Sequence, residues 1–531
     1  MELHIVQLQD PPLAGYGDAS PARRGERRLN VRSTTSLAYL AYLDAQQARF
    51  VATVERVLRR PILVRYRYQH ALNGLALRLS LREAEIISRL DGVRLVQRDE
   101  RRKPLTDYGP AWIGAPGIWD GATTGGLGDT QGEGVIIGLV DTGINGSGHA
   151  AFAGTGGDGY AHTNPWGTGN YVGVCNSSEQ DYDPSFPCND KLIGAWDMLD
   201  DDARDPGAPR DSTGHGSHTA STAAGNVYSP TLSAPTVSIG PRRVSGVAPH
   251  ANIVVYDACA SDCPTSALVA AIDQAVADGV DVINYSISGG DSPYYDTVAM
   301  AMLEARAAGI FIAASAGNGG PDAGSANHIA PWVSTVAAST HDRLFDNALL
   351  DLASDAGELA DIYGQSITAS YGPARIVYAG DYGNALCSSP FPPGTWSAGE
   401  IVACERGGSI TRITKGTNVQ AGGAGGLVLM NQADDDEALI PTSHVLPAVD
   451  IGYQDSTALK SWLASGTLHT ATIAGTVVKS DPALADVVAG FSARGPSRAL
   501  PDVIKPDLAA PGVMIWAATN QDNALGFLNG T

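Results

Sequence analysis

Three short segments of this 531-residue chain carry a carboxylate, an imidazole and a carboxamide, groups that can activate a nucleophile and hold negative charge on oxygen. The first is Val140-Asp141-Thr142-Gly143-Ile144, where Asp141 follows the apolar run Val135–Val140. In an open α/β sheet, groups at the carboxyl end of a strand face the functional crevice. The second is Asp211-Ser212-Thr213-Gly214-His215-Gly216-Ser217-His218-Thr219-Ala220, followed by the small residues Ser221-Thr222-Ala223-Ala224-Gly225. His215, at the start of a tightly packed helix, can offer one ring nitrogen to a carboxylate and the other to a nucleophile. His218 reads as structural or supporting. The third is Ala313-Ala314-Ser315-Ala316-Gly317-Asn318-Gly319, in which Asn318 leaves a buried strand into a glycine turn. Its amide can donate to a tetrahedral oxyanion. Asp-Thr-Gly also serves paired-acid catalysis, in which two carboxylates share a proton. No second Asp-Thr-Gly or Asp-Ser-Gly occurs, so only a second copy of the chain could complete such a pair.

Positioning these groups requires a sheet, and residues 130–340 alternate buried strands with helices. Val135–Val140, Ile253–Tyr256, Val280–Ser286 and Ile310–Ala314 read as strands covered on both faces. Thr265–Ala277 and Thr297–Ala308 read as helices stopped by Gly279 and Gly309. The pattern predicts a doubly wound parallel sheet. Residues 1–103 instead read β-α-β-β-α-β: Leu3–Gln9, a helix over 36–58, Ile62–Tyr68, Leu75–Leu79, a helix Leu81–Leu90 and Val93–Gln97. A basic stretch, Arg98–Lys103, then leads into Pro104. From 345 to 480 the strands are short and Gly, Thr, Ser and Val increase, which predicts an inserted β-rich module. Buried-strand character returns at Asp486–Phe491 and Pro506–Ala518.

Asp-Thr-Gly, Gly-His-Gly-Ser-His and Gly-Asn, in that order, resemble the subtilisin-like serine proteases, and the resemblance covers most of residues 105–531. It implies that Asp141 orients the imidazole, His215 is general base and then acid, and Asn318 is the oxyanion donor. It also implies that Ser286-Ile287-Ser288-Gly289-Gly290 is the strand onto which a peptide substrate adds. Residues 1–103 resemble the family's inhibitory propeptide, a ferredoxin-like α+β module that assists folding and blocks the cleft until cut within Arg98–Thr106. Residues 345–480 resemble a protease-associated (PA) domain inserted between 104–344 and 481–531 of an α/β catalytic domain. Its glycines, Ala421-Gly422-Gly423-Ala424-Gly425-Gly426, precede an apolar strand rather than opening a helix, which argues against a phosphate loop. Phe491-Ser492-Ala493-Arg494-Gly495-Pro496 and Lys505-Pro506-Asp507-Leu508-Ala509-Ala510-Pro511-Gly512 match large subtilases, which have Ser where Ala493 stands. The family's nucleophile follows an Asn/Ser-Gly-Thr tripeptide. Here that tripeptide is Asn529-Gly530-Thr531, so the nucleophilic serine is expected next and the present stretch is predicted inactive by itself.

Composition narrows the partners. The net charge is −21, divided between +8 on residues 1–103 and −29 on the remainder, so the two parts are expected to attract. That balance disfavours nucleic acid, and no run of 18 apolar residues suggests a membrane span. Six cysteines in three local couples, 175/188, 259/263 and 387/404, lack zinc spacing and favour disulfides in an oxidising compartment. The first residues show no signal peptide, and secretion is inferred from the cysteines and the resemblance. No cofactor is expected; Asp197 and Asp200–Asp202 suggest structural calcium less well than a solvated acidic loop. Asn176-Ser177-Ser178 matches the glycosylation sequon, but so do Asn145-Gly146-Ser147 and Asn529-Gly530-Thr531, so the pattern by itself marks no site. The expected function is a secreted serine endopeptidase precursor acting on proteins or peptides, with its own propeptide as intramolecular inhibitor. The alternative is a catalytically silent homologue that captures polypeptides.

Overall fold

The computed structural model describes residues 2–11, 13, 16, 18, 33–69, 73–98, 109–145, 148–199, 209–290, 292–433, 439 and 441–531. They fall into two compact units, Met1–Lys103 and Pro104–Thr531. In the first, strands Val64–Tyr68, Gly74–Leu79, Glu2–Leu8 and Val93–Arg98 lie side by side in that order, all antiparallel. Helices Thr34–Leu58 and Leu81–Ile87 complete the expected β-α-β-β-α-β sequence. Val6, Leu8, Phe50, Val54, Leu75, Leu77 and Ile87 form its core. The second helix begins at a reciprocal cap, in which the Ser80 hydroxyl accepts from the Glu83 amide and Glu83 accepts from the Ser80 amide. It ends at Ile87, three residues short of the predicted limit. The basic stretch beyond Arg98 lies outside the described residues.

The second unit is built on an eight-stranded, wholly parallel sheet. Its order is Leu508–Pro511, Ser334–Ser339, Phe311–Ser315, Val282–Tyr285, Ile136–Asp141, Asn252–Asp257, Leu192–Asp197 and Val172–Gly173. The apolar run 135–140 is continuous because both faces of its strand are covered. Ile136 and Val140 enter one core cluster with Ala267, Ala271 and Met302 of helices Thr265–Asp278 and Thr297–Ala307. Ile137 and Leu139 enter another with Ala220 and Ala224 of helix His215–Ala224. All three disulfides form within the local couples: Cys175–Cys188, Cys259–Cys263 and Cys387–Cys404.

Residues 343–480 form a second sheet that closes on itself. Strand Arg343–Ser354 pairs with Ile362–Gln365 on one side and Thr470–Ile473 on the other; Ala448–Ile451, Gly426–Met430, Ile401–Glu405 and Tyr371–Tyr378 complete the ring. Closure leaves few strand edges to pair with other chains. The four strands from 371 to 451 are parallel neighbours, and helices Arg412–Ala421 and Tyr453–Leu463 pack against them. The module is therefore less purely β than its composition predicts. Its Thr, Ser and Gly content hid two helices whose caps, Thr411 and Gly452, are themselves residues of those types. Asp486–Phe491 also departs from expectation. It is not a strand: half of its residues are exposed, and it meets the sheet region through an isolated bridge between Val488 and Ser339 and a few backbone bonds beside it. Its apolar residues come in too short a run to be covered on both faces.

Candidate active site

Asp141 ends the central strand of the parallel sheet, and His215 is the first residue of the helix packed on one face. His215 Nδ1 lies 2.6 Å from Asp141 Oδ1. The carboxylate is 1% exposed, whereas the imidazole is about half exposed, 46% for its side chain, so its other edge is open to a reactant. The carboxylate is held on both oxygens: Oδ1 also accepts from the Thr142 amide at 2.8 Å and Oδ2 from the Thr219 hydroxyl at 3.0 Å. The hydrogen bond to Asp141 raises the His215 pKa above its ordinary value; burial opposes this, and the Asp141 and Asp211 charges add to it. His218, one turn along, is buried and bonds the Ile515 carbonyl at 2.9 Å; burial pushes it down to about 4, which fits a packing residue.

Two glycines let the helix reach the strand end. A β-carbon on Gly216 would lie 2.1 Å from the Gly143 carbonyl oxygen, and one on Gly143 would lie 2.5 Å from that of Pro209. Asp211 fixes the approach. Its Oδ1 accepts from the Thr213 and Gly214 amides at 3.0 and 2.7 Å and from the Thr142 hydroxyl at 3.0 Å; its Oδ2 accepts from the Ser217 amide at 2.8 Å. Thr142 Oγ1 in turn accepts from the Gly216 amide at 2.9 Å. One carboxylate thus ties the Asp-Thr-Gly turn to the first turn of the histidine helix. The sequence quoted Asp211 only as part of a motif; an acidic residue just ahead of a helix start was the signal of its role.

Asn318 leaves strand Phe311–Ser315, two strands from Asp141 on the same sheet edge, about 10 Å away at the usual strand spacing. No hydrogen bond among the described residues joins it to Asp141 or His215. Its Oδ1 accepts from both the Thr531 amide and hydroxyl at 3.0 Å, while Thr531 Oγ1 accepts from the Gly317 amide at 3.0 Å. With the amide oxygen committed, the exposed Nδ2 is left to donate. Between these strands, Ser286–Gly290 continues past strand Val282–Tyr285. The Ile287 carbonyl accepts from Ser315 Oγ at 3.1 Å and His328 Nε2 at 2.7 Å, and the Gly289 and Gly290 carbonyls accept from the His328 and Ile329 amides. The sequence marks Thr531 only as the end of the Asn-Gly-Thr tripeptide, with no hint of its bonds to Asn318, and gives no sign of His328.

Among the described residues no group of three or more His, Cys, Asp or Glu side chains is arranged to hold a metal ion, and no helix is long and apolar enough to cross a membrane. Asp197 Oδ1 accepts from the Leu199 amide at 2.9 Å; Asp200–Asp202 lie outside the described residues.

The site thus sets an aspartate–histidine pair at the carboxyl edge of a parallel sheet, with an asparagine amide on the same edge. The chain belongs to the subtilase family, whose model matches residues 132–531; the peptidase inhibitor I9 model matches residues 32–104. Among curated relatives from Arabidopsis thaliana, subtilisin-like protease SBT1.4 is 34% identical over 481 residues, covering 86% of this chain and 58% of its own. Subtilisin-like protease SBT1.2 is 36% identical over 486 residues, covering 86% and 59%. Subtilisin-like protease SBT2.5 is 30% identical over 596 residues, covering 99% and 70%. The chain therefore spans a little under three fifths of the length of SBT1.4 and SBT1.2.

Proposed function

We propose that this chain belongs to a secreted serine endopeptidase precursor that cleaves proteins or peptides through an Asp-His-Ser triad. The observation that carries the reading is the 2.6 Å contact between buried Asp141 and half-open His215. Asp141 holds the Nδ1–H tautomer, so that Nε2 takes the proton of the attacking serine hydroxyl. The same nitrogen then returns that proton to the leaving amine as the acyl-enzyme forms. Asn318 Nδ2 donates to the oxyanion, an interaction worth roughly 3–4 kcal/mol in the transition state. The extended substrate lies along Ser286–Gly290. In this reading the nucleophile is the residue following Thr531, and the hydrogen bond from the Thr531 amide to Asn318 Oδ1 supports that assignment. These steps draw on side chains and backbone alone and call for no cofactor.

Residues 1–103 act in this reading as a ferredoxin-like inhibitory propeptide, and 345–480 as a PA-type module that interrupts a catalytic domain made of 104–344 and 481–531. Three disulfides support an oxidising, extracellular destination. The test is treatment of the full-length protein with a small serine-reactive phosphonate. Covalent labelling directly after Thr531 that disappears in His215→Ala supports the triad. A folded, unlabelled protein that still binds peptides is the silent polypeptide-binding homologue instead.

A further inference from the structure

The proposed triad makes no use of His328, yet this residue touches the peptide-binding segment at two points. The residue is 4% exposed, and Nε2 lies 2.7 Å from the Ile287 carbonyl oxygen. A carbonyl only accepts, so Nε2 carries a hydrogen and donates it. The His328 amide donates to the Gly289 carbonyl at 3.0 Å. Making both bonds from one residue places its backbone at φ 45°, in the left-handed region that side-chain-bearing residues enter at a cost. The surroundings hold it there. Thr335 Oγ1, fully buried, donates to the His328 carbonyl at 2.6 Å, and the Tyr285 ring meets the imidazole edge-on at 5.2 Å. On the far side the ring fills the space beneath Gly290, where an added β-carbon would lie 2.7 Å from Nδ1.

We propose that His328 is a positioning residue for extended peptide substrates: through Ile287 and Gly289 it fixes the outward edge of Ser286–Gly290, along which the substrate backbone pairs. This rests on the functional reading above. Removing the ring leaves the Ile287 carbonyl with Ser315 Oγ alone and frees the segment to shift. A misplaced strand edge weakens every backbone bond to the substrate, so the loss grows with the number of substrate residues on it. The acid–base pair lies on the neighbouring strand and the helix packed on it, and its hydrogen bonds involve neither His328 nor Ile287.

The test compares mature full-length wild type with His328→Ala and His328→Asn. Substrates are a single-residue ester and a peptide extended by four residues on the acyl side. For His328→Ala, KM for the extended peptide should rise about tenfold, the equivalent of one lost buried hydrogen bond. Its kcat, the ester kinetics and the rate of phosphonate labelling should stay near wild type. Asparagine tolerates the left-handed backbone and keeps the Gly289 bond, so His328→Asn should recover part of the loss. An unchanged extended-peptide KM, or labelling slowed as much as peptide cleavage, overturns the proposal. If wild type neither labels nor cleaves, the triad reading fails, and anisotropy of the fluorescent extended peptide decides this one. Weaker binding to His328→Ala upholds it, and equal binding refutes it.

Discussion

Asp211 offers the most exposed test of how the site is built. Replacing it with alanine removes the acceptor of the Thr213, Gly214 and Ser217 amides and of the Thr142 hydroxyl. Thr213 is exposed and can turn to water, whereas Gly214 and Ser217 are buried. Two stranded buried amides cost about 2 kcal/mol each, near 4 kcal/mol together, or roughly a thousandfold in the local opening equilibrium. Asparagine keeps a carbonyl oxygen for Thr213 and Gly214 but turns an amide toward the Ser217 N–H, so it should cost about half as much. The assay is amide hydrogen exchange of the segment 211–218 in the full chain, read by mass spectrometry. Protection should fall in the order wild type, Asp211→Asn, Asp211→Ala, while helix Thr265–Asp278 on the other face keeps its protection. Exchange in Asp211→Ala within threefold of wild type would refute the argument, as would equal losses in the two variants.

Because Asp141 raises the His215 pKa and the base must be neutral, kcat/KM should climb with pH through a value above about 6.5. In Asp141→Asn the residual limb should move to lower pH. The stability linked to the raised pKa runs the opposite way: it is fully present below the unfolded value and lost as pH rises through the folded one, which thermal melts across that window would register. Gly216→Ala forces a β-carbon to 2.1 Å from a backbone oxygen, so phosphonate labelling should fall at least tenfold while the disulfides still form. Arg343 stacks on Phe345 and Phe527, at 4.9 and 5.1 Å, and bonds the Met514 carbonyl; Arg343→Met should lower the melting temperature, and Phe527→Ala should add little further, as expected of coupled contacts. Residues 1–103 added in trans should inhibit the mature enzyme less as salt rises, since they carry +8 and the remainder of the chain −29.

The elements legible in the sequence were those with an unambiguous period or a buried apolar run. Val135–Val140 announced a strand covered on both faces, and Gly279 ended its helix in the left-handed cap a glycine allows. The helices at 412 and 453 were missed because Thr, Ser and Gly dominate around them, and those residues read as loop until packing is known. Asp486–Phe491 failed for the converse reason: a few apolar residues were taken for a strand without the length to bury one. At the site, Asp141 and His215 could be read from their glycine neighbours. The role of Asp211 was half visible, as an acid just ahead of the helix whose first amides it accepts, whereas that of Thr142 was not, because it consists of bonds to residues about seventy positions further along the chain.

Thr531 shows why motif and geometry are different kinds of knowledge. In sequence it is the last residue of a tripeptide, a marker for what comes next. In the fold its amide and hydroxyl both donate to Asn318 Oδ1, and its hydroxyl oxygen receives the Gly317 amide. An asparagine amide that is free to flip offers oxygen and nitrogen about equally, and an oxygen turned toward a developing oxyanion would repel it. By claiming the oxygen twice, Thr531 leaves the nitrogen to donate, which is the preorganisation that Asn318 needs if it is the oxyanion donor proposed above. Valine keeps the amide bond but deletes the hydroxyl. Thr531→Val should therefore lower kcat more than it raises KM, and an unchanged kcat would show that Asn318 is oriented by something other than this contact.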